Sequence, residues 1–251
     1  SPHLERLPHG GCRVNRNMQS VPDGPWGLVA LAVVFFTVST LVERAAIYVP
    51  GARAVCKAKN LLFFLAEFGL AIWGVSAVLS ERGANFLCGC TSSDSKFVQV
   101  TLVAFFSKFV QFVDVFLVQA SGFPTTTYFR VHHALMPLVM WVIIYYRPSV
   151  DVFLVVTNAI LHVGVNLFFA NPIGQFEQRF VWPYFLFWSA IHLVGVVVMT
   201  TMSRVVGFGS SCGCQLDRVG ATWELVVGAI YAVFTVMFWM DIRNRNRRKA
   251  S

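Results

Sequence analysis

Long apolar runs separated by short polar breaks dominate the sequence. Seven of these runs approach the roughly 20 mostly apolar residues that a membrane-spanning helix requires. The runs are continuous rather than alternating, so they predict helices and not the strands of a barrel. The predicted spans are residues 26–48, 61–79, 97–119, 132–147, 150–170, 182–206 and 222–241. We therefore expect an all-α polytopic membrane protein with about seven transmembrane helices.

Composition supports this fold class, and its variation along the chain predicts three segments. Hydrophobic residues make up 56% of the sequence and charged residues only 13%, whereas soluble domains carry about 25% charged residues. We expect an extramembrane N-terminal segment at 1–25, a transmembrane domain at 26–241 and a basic tail at 242–251. The first segment lacks the apolar stretch of a signal peptide, so a start at Ser1 fits removal of an organellar presequence.

The net charge of +8 comes from basic residues between the apolar runs and in the tail. No nucleic-acid-binding motif accompanies them, so nucleic acid is not an expected partner. They are typical of topology signals and of contacts with lipid headgroups. Basic residues are more numerous on the side of the predicted tail than opposite it. This bias predicts a C-terminus on the cytosolic or matrix side.

Two Cys-Gly-Cys pairs lie in the loops after spans two and six. They are Cys88 with Cys90 and Cys212 with Cys214. Both loops are predicted on the side opposite the tail, which favours disulfides between them in an oxidising compartment. Free thiols and a structural zinc site are the alternatives, although zinc motifs usually have wider spacing.

Ionisable residues inside a membrane span are costly and indicate function by default. Span three carries Lys108, Gln111 and Asp114, whose spacing of three places them on one helical face. This face is predicted to point into the bundle. The structural alternative is a buried Lys108–Asp114 pair that only orients helices.

Imidazoles and amides continue this polar pattern through spans four to six. The residues are His132, His133, Asn158, His162, Asn166 and His192. In span five, Asn158, His162 and Asn166 recur every four residues and form one polar helical face. The group predicts a nucleophile and base pair, a metal site, or hydrogen bonds between helices. A metal is the weakest choice, since Asp114 is the one deep carboxylate assigned here and Glu67 is left out.

These residues, in this order, resemble the motifs of the very-long-chain fatty acid elongases over residues 107–192. That family carries Lys-x-x-Glu-x-x-Asp-Thr, His-x-x-His-His, Asn-x-x-x-His-x-x-Met-Tyr and Thr-x-x-Gln-x-x-Gln. The six matching positions are Lys108, Asp114, His132, His133, Asn158 and His162. The resemblance implies a seven-helix bundle around an interior tube, with no metal and no bound cofactor.

Several motif positions carry other residues here. Gln111 replaces the Glu and Val115 the Thr of the first motif, and Phe129 stands at the first histidine of the box. Val165 and Asn166 replace Met-Tyr. A loose alignment of the last motif reaches Tyr184, Phe187 and Ala190.

The resemblance implies condensation of an acyl-CoA with malonyl-CoA, through an acyl-imidazole at His132 and His162. Loss of a proton-transferring Glu and of a supporting imidazole lowers such activity by orders of magnitude. The first hypothesis is therefore a protein that has lost condensing activity. It would serve as a structural or lipid-binding subunit, holding a phospholipid or acyl chain, in a larger assembly of the mitochondrial inner membrane. The alternative is an active elongase of the endoplasmic reticulum, which would use the six retained residues.

Overall fold

The protein is described by a computed structural model covering residues 24–82, 95–122, 125–146, 151–170, 175–205 and 218–250. Within these ranges the chain forms seven α-helices. They are α1 Trp26–Ala45, α2 Ala52–Arg82, α3 Lys96–Ala120, α4 Thr127–Tyr146, α5 Asp151–Ala170, α6 Gln175–Val205 and α7 Arg218–Ala250. Each contains a stretch long and apolar enough to cross a membrane. The predicted all-α polytopic fold is confirmed.

The helices form one bundle with α4 at its centre. Over its membrane stretch, 72% of α4 is buried, compared with 22% for each of α1 and α7. Helix α2 packs most extensively against α5, and α5 also packs against α6. Helix α4 contacts α1, α3 and α7. The core between them is apolar and aromatic, with Val139, Trp141, Leu154 and Phe234 almost fully buried. Large apolar side chains on the outer faces of α1 and α2 remain exposed, as expected for contact with lipid.

Four helices extend well beyond the predicted spans, and one of them, α6, begins at Gln175 rather than at 182. Helix α2 begins at Ala52 rather than at 61, so Lys57 and Lys59 lie in a helix and not in the predicted loop. The segment 52–60 is rich in Ala, Lys and Arg, which favour helix but lower the hydropathy by which a span is recognised. Helix α4 begins at Thr127 rather than 132. Helix α7 continues past 242, where the tail was predicted to begin.

A polar clamp joins the end of α1 to the start of α4. The Glu43 carboxylate accepts hydrogen bonds from the Thr125 hydroxyl (2.6 Å) and backbone N–H (3.2 Å). It also accepts one from Gln119 Nε2 (3.1 Å). Gln119 Nε2 further donates to the Ser39 carbonyl. These bonds hold α1, α3 and α4 together at the end of the bundle where α7 also ends.

The predicted disulfides involve four cysteines that are not among the described residues. Cys88, Cys90, Cys212 and Cys214 lie outside the described residues, so the predicted disulfides stay a prediction. Cys56 is a buried free cysteine of α2.

Candidate active site

Lys108 lies at the centre of a buried hydrogen-bond network. Its side chain is 2% exposed, and its ammonium donates to Asn158 Oδ1 (2.7 Å) and Gln111 Oε1 (3.3 Å). A charged group at membrane depth requires such acceptors, since its desolvation costs several kcal/mol. The face of α3 predicted to enter the bundle does so, because Lys108, Gln111 and Asp114 are all buried.

One arm of this network ends at Glu67 on α2. Gln111 Nε2 donates to Glu67 Oε1 (3.0 Å). Glu67 is 2% exposed, and its Oε2 has no hydrogen-bond partner among the described residues. Glu67 belongs to none of the sequence motifs, so it was not among the predicted site residues. A carboxylate therefore lies one hydrogen bond away from position 111, where the elongase motif has its own Glu.

The other arm runs through Asn158 to His192 on α6. The Thr157 hydroxyl donates to the Phe153 carbonyl (2.5 Å), so it accepts from His192 Nδ1 (2.7 Å). This assigns the proton to Nδ1 and leaves Nε2 as an acceptor. His192 Nε2 then accepts from the Tyr231 hydroxyl (3.1 Å) of α7 and, more weakly, from Asn158 Nδ2 (3.4 Å). The network thus connects α2, α3, α5, α6 and α7.

Asp114 has a different partner from the predicted one. It forms an ion pair with Lys59 of α2, whereas Lys108 hydrogen-bonds to Asn158 and Gln111. The structural alternative of a buried Lys108–Asp114 pair is therefore not what the structure shows. Lys59 was predicted to lie in a loop, whereas the longer α2 carries it into the bundle beside α3.

The three remaining imidazoles lie side by side. The His132 and His162 ring centroids are 6.5 Å apart at an interplanar angle of 28°, and those of His132 and His133 are 5.5 Å apart. His133 Nδ1 donates to the Phe129 carbonyl (2.8 Å), because a carbonyl can only accept. His133 Nε2 is then free to accept. His132 Nδ1 is buried and has no partner among the described residues.

One small cavity adjoins these groups, and a larger cavity lies elsewhere in the bundle. The smaller, about 10 Å³, is lined by polar groups that include Lys59, Asp114, His133, His162 and Asn166. It has room for about one water molecule. The larger, about 840 Å³, is apolar and lies between α2, α5 and α6. None of the site histidines is among its described lining residues.

The positions that depart from the elongase motifs surround the site. The Phe129 ring contacts His133, with centroids 4.3 Å apart, and Val115 is fully buried in an apolar cluster with Phe35. Asn166 Nδ2 is buried without a partner among the described residues. Of the loosely aligned residues, Phe187 is 59% exposed on the outside of α6.

Within the described residues, no group of three or more His, Cys, Asp or Glu side chains has the geometry of a metal site. The buried polar groups do meet. Lys108, Asp114, His132, His133, Asn158 and His162 all lie within one interior, along with the unpredicted Lys59, Glu67 and Tyr231.

The fold and site define the class: an integral membrane protein whose helices enclose a polar interior of lysine, carboxylate and imidazole groups. A family model described as the GNS1/SUR4 family (ELO) matches residues 23–251. The chain therefore belongs to the ELO family. Comparisons with curated proteins and with solved structures each gave no match.

Proposed function

We propose that this ELO protein has lost condensing activity and serves as a structural and lipid-binding subunit of a larger membrane assembly. The observation that carries the proposal is the small space beside the imidazoles. The cavity that His133 and His162 share has a volume of about 10 Å³, whereas an acyl thioester and malonyl-CoA must both reach the nucleophile during condensation.

The hydrogen-bond partners of the imidazoles support the same conclusion. A nucleophilic or basic histidine needs a partner that fixes its tautomer and orients its ring. His132 Nδ1 has none among the described residues. Phe129 replaces the motif histidine beside this pair, and its ring packs against His133 without offering a nitrogen.

The retained polar residues have a structural role under this proposal. Lys108, Asn158 and His192 link three helices through satisfied hydrogen bonds. Removing one member would leave another buried and unpaired, which is costly in a membrane interior. Under this proposal, these residues stabilise the bundle and take no part in chemistry.

An active elongase in the endoplasmic reticulum is the second candidate, and Glu67 favours it. The carboxylate missing at Gln111 is present on α2 within one hydrogen bond. Under this reading His132 and His162 carry the acyl group, and acyl-CoA and malonyl-CoA are the substrates.

A condensation assay separates the two. The purified protein is incubated with long-chain acyl-CoA and malonyl-CoA, and 3-oxoacyl-CoA and the intact protein mass are measured. We expect neither product nor acyl adduct. A product or adduct that disappears in both His132→Ala and His162→Ala would overturn the proposal, while His9→Ala, far outside the motifs, controls for nonspecific acylation.

The assembly part of the proposal has its own test. We expect the protein to purify in mild detergent together with other membrane subunits. We also expect it to lie in the inner mitochondrial membrane with its C-terminus in the matrix. Purification as a free monomer from the endoplasmic reticulum would contradict it.

A further inference from the structure

Arg130 is a buried cation that the site does not use. It stands in the first turn of α4, between Phe129 and the two histidines of the box, at a position that the motif leaves free. The residue is 8% exposed. Its Nε and Nη1 atoms are buried and have no hydrogen-bond partner among the described residues. Its guanidinium lies over the Phe36 ring of α1, with Cζ 6.0 Å from the centroid.

An unpaired guanidinium in this place is unstable without an anion. Arginine stays protonated in proteins, so Arg130 cannot lower the cost by losing its charge. A contact with one aromatic face offsets only part of the desolvation of a buried cation. The two unpartnered nitrogens, Nε and Nη1, point to an acceptor outside the described residues.

The neighbouring carboxylates are already engaged. Glu43, which holds the same ends of α1 and α4 together, accepts hydrogen bonds from Thr125 and Gln119. Asp114 on α3 pairs with Lys59. Among the described residues, no carboxylate forms a salt bridge with Arg130.

We infer that Arg130 binds the phosphate of an anionic phospholipid at the α1–α4 edge of the bundle. Arg130 lies about 5 Å along α4 from its first residue, Thr127, at the end of the bundle where α7 also ends. That end of α7 carries a run of basic residues, which attracts an anionic leaflet. A guanidinium presents paired N–H donors that match phosphate oxygens.

This inference rests on the lipid-binding part of the proposed function and names the lipid class and the site. It places the headgroup beside α1 and α4, away from the large apolar cavity between α2, α5 and α6.

The test compares wild type with Arg130→Met in a nonionic detergent, with and without added phosphatidylglycerol. In lipid-free detergent we expect Arg130→Met to be at least as stable as wild type, because it removes an unpaired buried charge. With phosphatidylglycerol we expect the melting temperature of wild type to rise and that of Arg130→Met to stay unchanged. Native mass spectrometry should show phosphatidylglycerol affinity reduced about tenfold or more in the variant.

Matched controls isolate the guanidinium. Lys57→Met removes an exposed cation from α2 and should keep the lipid effect. Arg130→Lys keeps the charge without the planar fork and should retain part of it. Phosphatidylcholine and inorganic phosphate should each give a smaller rise than phosphatidylglycerol.

Three results would overturn the inference. They are a loss of stability of Arg130→Met in lipid-free detergent, an undiminished phosphatidylglycerol effect in that variant, or an equal effect of inorganic phosphate. If wild type instead gains nothing from any lipid, the lipid-binding part of the proposed function fails as well.

Discussion

At the scale of single residues, two asparagines on one face of α5 have opposite surroundings. Asn158 accepts a hydrogen bond from the buried Lys108 ammonium and contacts His192. Asn166, eight residues later, leaves Nδ2 buried and unpartnered among the described residues. The two have equal side chains and equal burial, 3% exposed each, so they form a matched pair.

We expect Asn158→Leu to lower the free energy of unfolding by about 3–5 kcal/mol, because it leaves a buried charge without its closest acceptor. Asn166→Leu should change it by less than about 1 kcal/mol, since it removes a group that is already unsatisfied. Denaturant unfolding in micelles measures both. Equal losses for the two variants would show that the Lys108 contact does not stabilise the bundle.

The same scale shows what the sequence could and could not predict. Asn158, His162 and Asn166 were predicted to form one polar face of a helix, and all three are buried. Glu67 was left out of the predicted site, and Tyr231 was missed. Each is a lone polar group in an apolar run, and only packing against a distant helix reveals its partner.

At the scale of helices, the Lys59–Asp114 pair connects α2 to α3. Both side chains are largely buried, 15% and 12% exposed. We expect a double-mutant cycle with Lys59→Met and Asp114→Asn to give a coupling energy of about 1–3 kcal/mol.

The control cycle uses Lys108→Met with Asp114→Asn, the pair that was the structural alternative in the sequence analysis. It should give a clearly smaller coupling energy, because Lys108 hydrogen-bonds to Asn158 and Gln111 instead. A larger coupling for Lys108 than for Lys59 would contradict the observed pairing.

A second contact between helices depends on the absence of a side chain. A Cβ at Gly228 of α7 would lie 2.6 Å from Thr200 Oγ1 and 3.1 Å from Thr200 Cβ on α6. Thr200 is buried and hydrogen-bonded to the Val196 carbonyl, so it cannot move aside easily. Small residues allow such close approach of membrane helices.

We expect Gly228→Ala to destabilise the protein by about 1–3 kcal/mol through overpacking. Gly69→Ala on α2 is the matched control, since nothing lies within 4 Å of its Cβ position. That change should be neutral or stabilise by up to about 1 kcal/mol. Thermal unfolding in detergent compares them, and a tolerated Gly228→Ala would argue against a tight α6–α7 crossing.

Helix ends were the least predictable elements. Hydropathy locates the apolar centre of a span, but α2 and α7 continue as helices into segments rich in basic residues. Because α2 begins at Ala52, Lys59 lies in the interior and not in the predicted loop, and it pairs with Asp114.

At the scale of the whole molecule, seven apolar runs were sufficient to predict the fold class. The motifs were sufficient to predict the family, and the structure brings their residues together. The pairing inside the bundle was not predictable, because it depends on which faces of α2, α3, α5, α6 and α7 meet. The loss of condensing activity remains a proposal at this scale, supported by the small polar cavity and the replaced motif positions.

The central claim is that residues from separate helices share one lipid-shielded interior. A cryo-EM map of the protein in lipid nanodiscs tests this most directly. We predict continuous side-chain density from Lys108 through Asn158 to His192, with the His132 and His162 rings facing each other nearby. Density that places Lys108 or these imidazoles against the acyl chains, or on separate faces of the bundle, would contradict the account.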